Sequence, residues 1–423
     1  MKLSYHLLIA ALVVCAYTSQ TVFAQGVLLR GIGATNAAVG GTATAMPIDA
    51  AGALQWNPGS ISALKKNEMT FGLEILQPKT TVTTSGHADN SLNGTTKGNA
   101  GEIPAPNMAF VWSTSRRSPF TYGLGMSAVG GAASLYPQDS GNLVLAEHGQ
   151  SANVIVLQVT PTVSTQLTER LSVGVAPIVD LASLNINPMS LGRPLGQPLD
   201  TYGTKYAWGM GFQIGALYDF QNHFKAGFMF KSPVWAEKLY FTGTSVSAPT
   251  AGRQDIKFDL NLPMTLSAGI SYDGLKDTII GIDVRYFDYA NTAGLDKGIN
   301  FASGGIVEGL DWNSVYSVNV GMERKINHRL KARLGYAWNE APIPGRSSAL
   351  CVSAPMITQH VFSCGFGYTF AKDLELSAAY SHAVYATLSG PHPLSGLHPA
   401  YQNTTITNTL YGNSLFAGIT KRW

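Results

Sequence analysis

From Ile256 to Tyr272 every second residue is apolar: Ile256, Phe258, Leu260, Leu262, Met264, Leu266, Ala268, Ile270 and Tyr272 alternate with Lys257, Asp259, Asn261, Thr265 and Ser267. A strict period of two predicts a strand with one apolar and one wet face. The run is far longer than the roughly 5 to 6 residues usual in soluble strands. The same signature recurs at Ile280, Ile282, Val284 and Tyr286 against Asp283 and Arg285, and at Leu330, Ala332, Leu334, Tyr336 and Trp338 against Lys331 and Arg333. It returns at Phe362, Phe366, Tyr368 and Phe370 and at Leu374, Leu376, Ala378 and Tyr380. Such segments predict fourteen strands, at 68–85, 106–115, 119–135, 152–167, 170–182, 204–219, 223–242, 255–273, 277–289, 312–324, 329–341, 357–370, 373–387 and 409–423. The connections at 116–118, 168–169, 220–222, 274–276, 325–328 and 371–372 are short, and those at 86–105, 136–151, 183–203, 243–254, 290–311, 342–356 and 388–408 are long. An even strand number with alternating short turns and long loops predicts an all-β fold, a transmembrane antiparallel β-barrel. In such a barrel the apolar row faces lipid, the charged row faces the lumen, and the short turns lie in the periplasm. Both termini are then periplasmic.

Composition agrees with a surface that water does not fully cover. Only 13% of the chain is charged, against about 25% in a soluble domain. After Ala24 there is no apolar stretch long enough for a membrane helix of roughly 20 residues. Forty-five glycines, 18 tyrosines and 17 phenylalanines suit a closed barrel, in which every backbone polar group pairs between strands. A net charge of +3 gives no reason to expect a nucleic-acid partner. At the amino end Lys2, the apolar run Leu7–Tyr17 and Val22-Phe23-Ala24 predict a signal peptide over residues 1–24. The residues before Cys15 lack the small side chains of a lipoprotein signal. Cys351 and Cys364 remain, and an oxidising periplasm permits a bridge between them, but Cys364 shares the apolar face of Phe362 and Phe366. Trp423, after Leu415, Ala417 and Ile419, resembles the terminal aromatic signal read by the barrel assembly machinery. Lys421 stands where that signal usually has an apolar residue.

Residues 25–66 break the pattern, which divides the mature chain into an amino-terminal segment at 25–66 and a barrel at 67–423. The segment is rich in Gly and Ala, has helix-like runs near Asn36–Ala45 and Asp49–Gln55, and breaks at Asn57-Pro58-Gly59, where proline disfavours helix in the preceding residue. Too apolar for a solvated tail, it is expected to fold inside the barrel as a plug.

The order Gly31-x-Gly33-x-x-Asn36-Ala37-x-x-Gly40-Gly41, then Asp49, then Trp56-Asn57-Pro58-Gly59, resembles the amino-terminal hatch of the FadL/TodX-type outer-membrane transporters of long-chain fatty acids and aromatic hydrocarbons. Trp208–Tyr218, Leu260-Asn261-Leu262-Pro263 with Gly269–Tyr272, and Leu334–Trp338 through Pro342-Ile343-Pro344 resemble that family's barrel. Family members usually have Asn-Pro-Ala in the hatch, and Gly59 replaces that alanine here. The resemblance implies passive, hatch-gated uptake of a hydrophobic small molecule. The molecule is caught outside, held beside the hatch's amino end, and released sideways into outer-membrane lipid where the third strand kinks inward. Carried onto this chain, the hatch turn is Asn57, Pro58 and Gly59, and the substrate-binding segment is Val27, Leu28 and Leu29. The kink is expected at Gly130 and Gly131, since adjacent glycines permit a bulge, although close contact with the hatch would also call for glycine. Candidate partners for a carboxylate cargo are Arg285, Lys331 and Arg333, which could equally just line the lumen. A monomer is expected.

Catalysis finds little footing. His392 and His398 lie in a Gly/Pro-rich loop without further metal ligands, Gly31-x-Gly33 lacks the context of a nucleotide fingerprint, and Ser381 and His382 are neighbours on a strand and point to opposite faces. No enzyme activity, cofactor or metal site is expected. Two alternatives stay open: a general porin for small polar solutes and an outer-membrane lipid hydrolase. An adhesin or phage-receptor role for the long loops is compatible with any of these.

Overall fold

A computed structural model describes residues 26–64, 66–113, 118–246 and 252–423; the predicted signal peptide lies outside them. Fourteen antiparallel strands close into a barrel, as the alternation predicts: β1 (Glu68–Ser85), β2 (Ile103–Ser113), β3 (Phe120–Tyr136), β4 (Gln150–Gln166), β5 (Leu171–Asn187), β6 (Lys205–Asp219), β7 (Phe224–Lys231), β8 (Thr265–Leu275), β9 (Thr278–Phe287), β10 (Val315–Lys325), β11 (Leu330–Asn339), β12 (His360–Ala371), β13 (Leu374–Pro391) and β14 (Thr405–Arg422). Each pairs with the next in sequence, and β14 returns to β1 with Glu68 opposite Arg422 and Ser85 opposite Thr405. Both ends of the barrel wall therefore lie at the rim that carries the short turns.

The faces are inverted relative to a soluble protein. On β9 Ile282 and Val284 are exposed while Asp283 and Arg285 are buried; on β11 Leu334 is exposed and Arg333 buried. An apolar outer wall around a polar, filled interior is the arrangement that hydrocarbon surroundings favour.

Two predicted strands are broken. The segments at 223–242 and 255–273 are interrupted near Pro233 and Pro263, which have no N–H to donate to a ladder, so β7 ends at Lys231 and β8 begins at Thr265. The outlying pieces, Leu239–Ser245 and Arg253–Phe258, pair with each other, and Leu239–Ser245 also pairs with Leu199–Thr201, in a separate three-stranded sheet. There Ile256 and Phe258 pack with Leu184, Met189 and Phe241. One apolar row thus enters a loop core before Pro263 and the outer wall after it, where Ile270 is 59% exposed.

Residues 26–64 fill the lumen with α1 (Gly33–Ala38), α2 (Ala50–Trp56) and a 3-10 turn (Pro58–Ala63). The first helix is shorter than the run expected at Asn36–Ala45, because the chain turns at Gly40 and Gly41, with φ of 66° and 80°, values that glycine tolerates. Asp49 caps the second by accepting from Gly52 N at 3.2 Å. Asn57 then joins plug to wall. Its Nδ2 donates to Thr44 O at 2.7 Å and to Ala216 O on β6 at 2.9 Å, and its Oδ1 accepts from Gly59 N at 3.0 Å. A Cβ on Gly59 would stand 2.5 Å from the carbonyl oxygen of Gly215, so an alanine here would force the plug's turn and β6 to shift apart. Cys351 is buried, Cys364 faces outward, and both are free thiols.

Gly59→Ala is expected to weaken plug docking by about 1–3 kcal/mol, the usual cost of overfilling a close contact. Limited proteolysis within residues 26–64 during a urea titration measures this; a variant plug as resistant as the parent's would show that the contact yields freely.

Candidate functional site: a lumenal cavity beside a gap in the wall

The ladder between β2 and β3 is incomplete. Pairing between β2 and β3 stops at Asn107 opposite Ser127, yet β3 runs on to Tyr136 while β2 continues from Pro106 back to Ile103 paired only with β1. Beyond the gap, Asn99 N donates to Leu135 O at 2.7 Å, so the opening is bounded on both sides. Pro104 and Pro106 on its rim carry no N–H to bridge it. On the other flank the β3–β4 register jumps between Ala128 and Gly130, which makes Val129 an extra residue, a β-bulge. Ser127, Ala128, Val129 and Gly130 are all buried. Consecutive residues of a flat wall alternate between faces, so four buried in succession mean that β3 bends into the lumen.

The plug's first residues meet that bend. Leu29 N donates to Val129 O at 2.8 Å and Gly131 N donates to Val27 O at 3.0 Å, with Leu28 bridged to Gly130. The structure therefore brings Val27, Leu28 and Leu29 together with Gly130 and Gly131, two groups singled out separately in the sequence. A Cβ on Gly130 would lie 3.0 Å from Val27 O, so glycine serves the bend and the close contact together.

Against this strip lies a cavity of about 170 Å³, counted as space open to the centre of a water molecule. That is the scale of an apolar cavity that admits one aromatic ring, roughly 150 Å³. Its apolar wall includes Leu28, Leu29, Ile103, Met356, Leu410 and Phe416, and its polar groups include Arg30 and Glu74. Arg30 is fixed by donating from Nε to Asn339 Oδ1 at 3.1 Å and from Nη2 to Thr358 O at 2.9 Å. Burial lowers its pKa to about 10, with Glu74 and Tyr289 pulling the other way, so it is charged at neutral pH. Neither Arg30 nor Glu74 was singled out from the sequence. The available signal for Glu74 was its place in the inward row of β1, beside Thr70 and Gly72.

Arg285, Lys331 and Arg333 lie elsewhere and do not line this cavity. Arg285 donates from Nη2 to Asp283 Oδ2 at 3.0 Å and to Gly41 O at 2.5 Å, with its guanidinium 3.4 Å from the Trp56 ring centre. Asp283 Oδ2 in turn accepts from Ala43 N and Thr44 N at 2.8 and 3.0 Å. The pair clamps the plug's turn to β9. Arg333 bridges Glu323 at 2.8 Å and Glu375 at 2.7 Å, Lys331 reaches Glu375 at 3.1 Å, and Arg422 links Glu375 to Glu68. Glu68 Oε1 accepts from Ala50 N at 2.7 Å, at the start of α2, so this network ties the plug to the wall at the rim of short turns. Asn57, Pro58 and Gly59 sit apart from the cavity, against β5 and β6. Ser381 hydrogen-bonds Ser363 and His382 hydrogen-bonds Asn413, on opposite faces as their adjacency requires. His392 and His398 flank the ring of Tyr401, with His87 on a third side.

A closed barrel with an apolar outside, a lumen filled by its own amino-terminal segment and a cavity beside a gap in the wall defines a plugged outer-membrane channel. The chain belongs to the outer membrane protein transport protein family (OMPP1/FadL/TodX), whose model matches residues 15–391. A segment is 25% identical to outer membrane protein P1 of Haemophilus influenzae over 182 residues, 42% of this chain and 38% of that protein; the match thus spans well under half of the relative's length. The fold is similar to that of the Pseudomonas putida toluene transporter TodX, with a TM-score of 0.69, 17% identity and coverage of 93% of this chain and 99% of that one. It is also similar to that of a Pseudomonas aeruginosa FadL homologue, with a TM-score of 0.67, 14% identity and coverage of 95% and 99%.

Two outcomes follow from the charges. Arg285→Met leaves Asp283 buried and unpaired and should cost about 3–5 kcal/mol, measured as a lowered urea midpoint of the reconstituted barrel; an unchanged midpoint contradicts the clamp. Burial, with a smaller push from His87, lowers His392 from 6.5 to about 4. The unfolded loop then binds the proton first, so stability that is complete above pH 6.5 is lost as pH falls toward 4. Amide protection factors over residues 392–404 should drop between pH 7 and 4.5, and His392→Phe should flatten that dependence; equal protection at both pH values contradicts it.

Proposed function

We propose that this protein carries hydrophobic small molecules, of the long-chain fatty acid or aromatic hydrocarbon kind, passively across the outer membrane. The cargo enters from the side of the long loops, rests against Val27, Leu28 and Leu29, and leaves sideways into lipid through the gap at Gly130 and Gly131. The observation that carries this reading is the interruption of the β2–β3 ladder beside a largely apolar cavity. A greasy molecule gains about 0.8 kcal/mol for each CH₂ removed from water, and a side exit keeps it out of water where an axial one would not. The filled lumen weighs against a wet pore for polar solutes. In this reading the long loops are extracellular, both termini are periplasmic after removal of residues 1–24, the assembly machinery recognises the carboxyl end, and the barrel works as a monomer. Asn57, Pro58 and Gly59 anchor the plug on the wall away from the exit.

Deleting Val129 removes the extra residue and restores an unbroken β3–β4 register. In cells lacking their own transporter and at equal surface expression, labelled toluene or oleate should enter with the parent chain. The deletion should lower entry about tenfold or more, a barrier rise of about 1.4 kcal/mol. Entry of a small sugar alone, indifferent to the deletion, would make the protein a polar pore.

A further inference from the structure

The cavity's polar end bears on which hydrophobic molecules fit. Arg30 uses Nε and Nη2 on Asn339 and Thr358, and among the described residues Nη1 has no protein partner. Glu74, on β1 and 6% exposed, has the Ser414 hydroxyl as its hydrogen-bond partner, and among the described residues no Lys, Arg or His nitrogen comes within 4.0 Å of its carboxylate. Arg30 and Glu74 thus line one cavity without pairing with each other. A donor and an acceptor face the same space, and the rest of that space is largely apolar.

Each class of cargo meets this end differently. A pure hydrocarbon covers both groups and satisfies neither, which costs the desolvation of each. A carboxylate can take Arg30, but its own charge loses its hydration in a poorly solvated site that also holds the Glu74 carboxyl. Among the described residues that line the cavity there is no other Lys or Arg, and Arg285, Lys331 and Arg333 are bound to acids outside it. A neutral hydroxyl meets both requirements, because its oxygen accepts and its proton donates. We propose that the preferred cargo is a hydrophobic molecule with one neutral hydroxyl, an alcohol or a phenol, which accepts from Arg30 and donates to Glu74 while its hydrocarbon body packs on Leu28, Leu29 and Phe416. This rests on the hydrophobic-channel reading above and narrows its substrate class.

The test compares three molecules of one shape: p-cresol, toluene and p-toluate. The mature chain in lipid nanodiscs is dialysed to equilibrium against each at pH 7.5, with empty nanodiscs as the blank. p-Cresol should bind about tenfold tighter than toluene, as for one hydrogen bond to a charged group, and p-toluate weakest. Glu74→Leu should bring p-cresol down to the level of toluene while toluene holds or gains. Glu74→Gln, which keeps an acceptor and the shape, should retain part of the preference, with heat-modifiable migration reporting an intact barrel in both variants. Toluene bound as well as p-cresol, p-toluate bound tightest, or a p-cresol preference untouched by Glu74→Leu overturns the inference and leaves the hydrophobic channel standing. No ring bound above the blank overturns both.

Discussion

A backbone N–H or C=O that faces hydrocarbon has no water to fall back on, and leaving one unpaired costs several kcal/mol. A closed barrel meets this demand everywhere except where its ladder is interrupted. In this chain the interruption between β2 and β3 is met from inside: Leu29 donates to Val129 and Val27 accepts from Gly131. The plug's first residues act as a short inner strand for a wall strand that has left its neighbour. Gap, bend and plug are therefore one device, and each depends on the other two for its backbone partners.

The same demand shapes the lumen. The buried charges of Asp283, Arg285, Arg333 and Glu68 on the inward rows are matched by partners on the plug or on adjacent strands, because an unmatched one would be expensive. Asp283 and Arg285 grip the Gly41–Thr44 turn from β9, and Glu68 holds the start of α2 at the short-turn rim. Asn57 fastens the far side to β6. The anchors are thus distributed around the barrel, and the residues beside the gap are held to β3 by main-chain bonds. A plug fastened in this way can keep the lumen closed to water while its first residues border a hydrophobic space.

Much of this was legible in the sequence, for reasons that can be stated. Period-two alternation survives single irregularities, so all fourteen strands could be counted, and the row containing Asp283, Arg285 and Arg333 could be placed inward. The breaks at Pro233 and Pro263 were also written in the chain, but the alternation keeps its parity through Pro263 and so disguised the change of sheet. Whether an inward cation is free was not legible. Glu323 and Glu375 reach Arg333 from flanking positions that only the barrel register creates. The meeting of Val27–Leu29 with Gly130–Gly131 is a contact between segments some hundred residues apart, which no local pattern encodes. Arg30 and Glu74 were missed because each is a single charge in an otherwise apolar or small-residue context, and only the cavity shows that they face the same space.

The central claim is that cargo passes along the strip formed by Leu29, Gly131 and Ile103. The most direct measurement is photolabelling with a diazirine-bearing toluene analogue in outer-membrane vesicles, followed by mapping of the modified residues by mass spectrometry. The account predicts labels on Leu28 and Leu29, on Gly131 to Ala133 and on Ile103 at the rim of the gap, all suppressed by excess toluene. Toluene-sensitive labels running instead past Asn57 to the short-turn rim, with none at the gap, would mean an axial path through the plug and would contradict it.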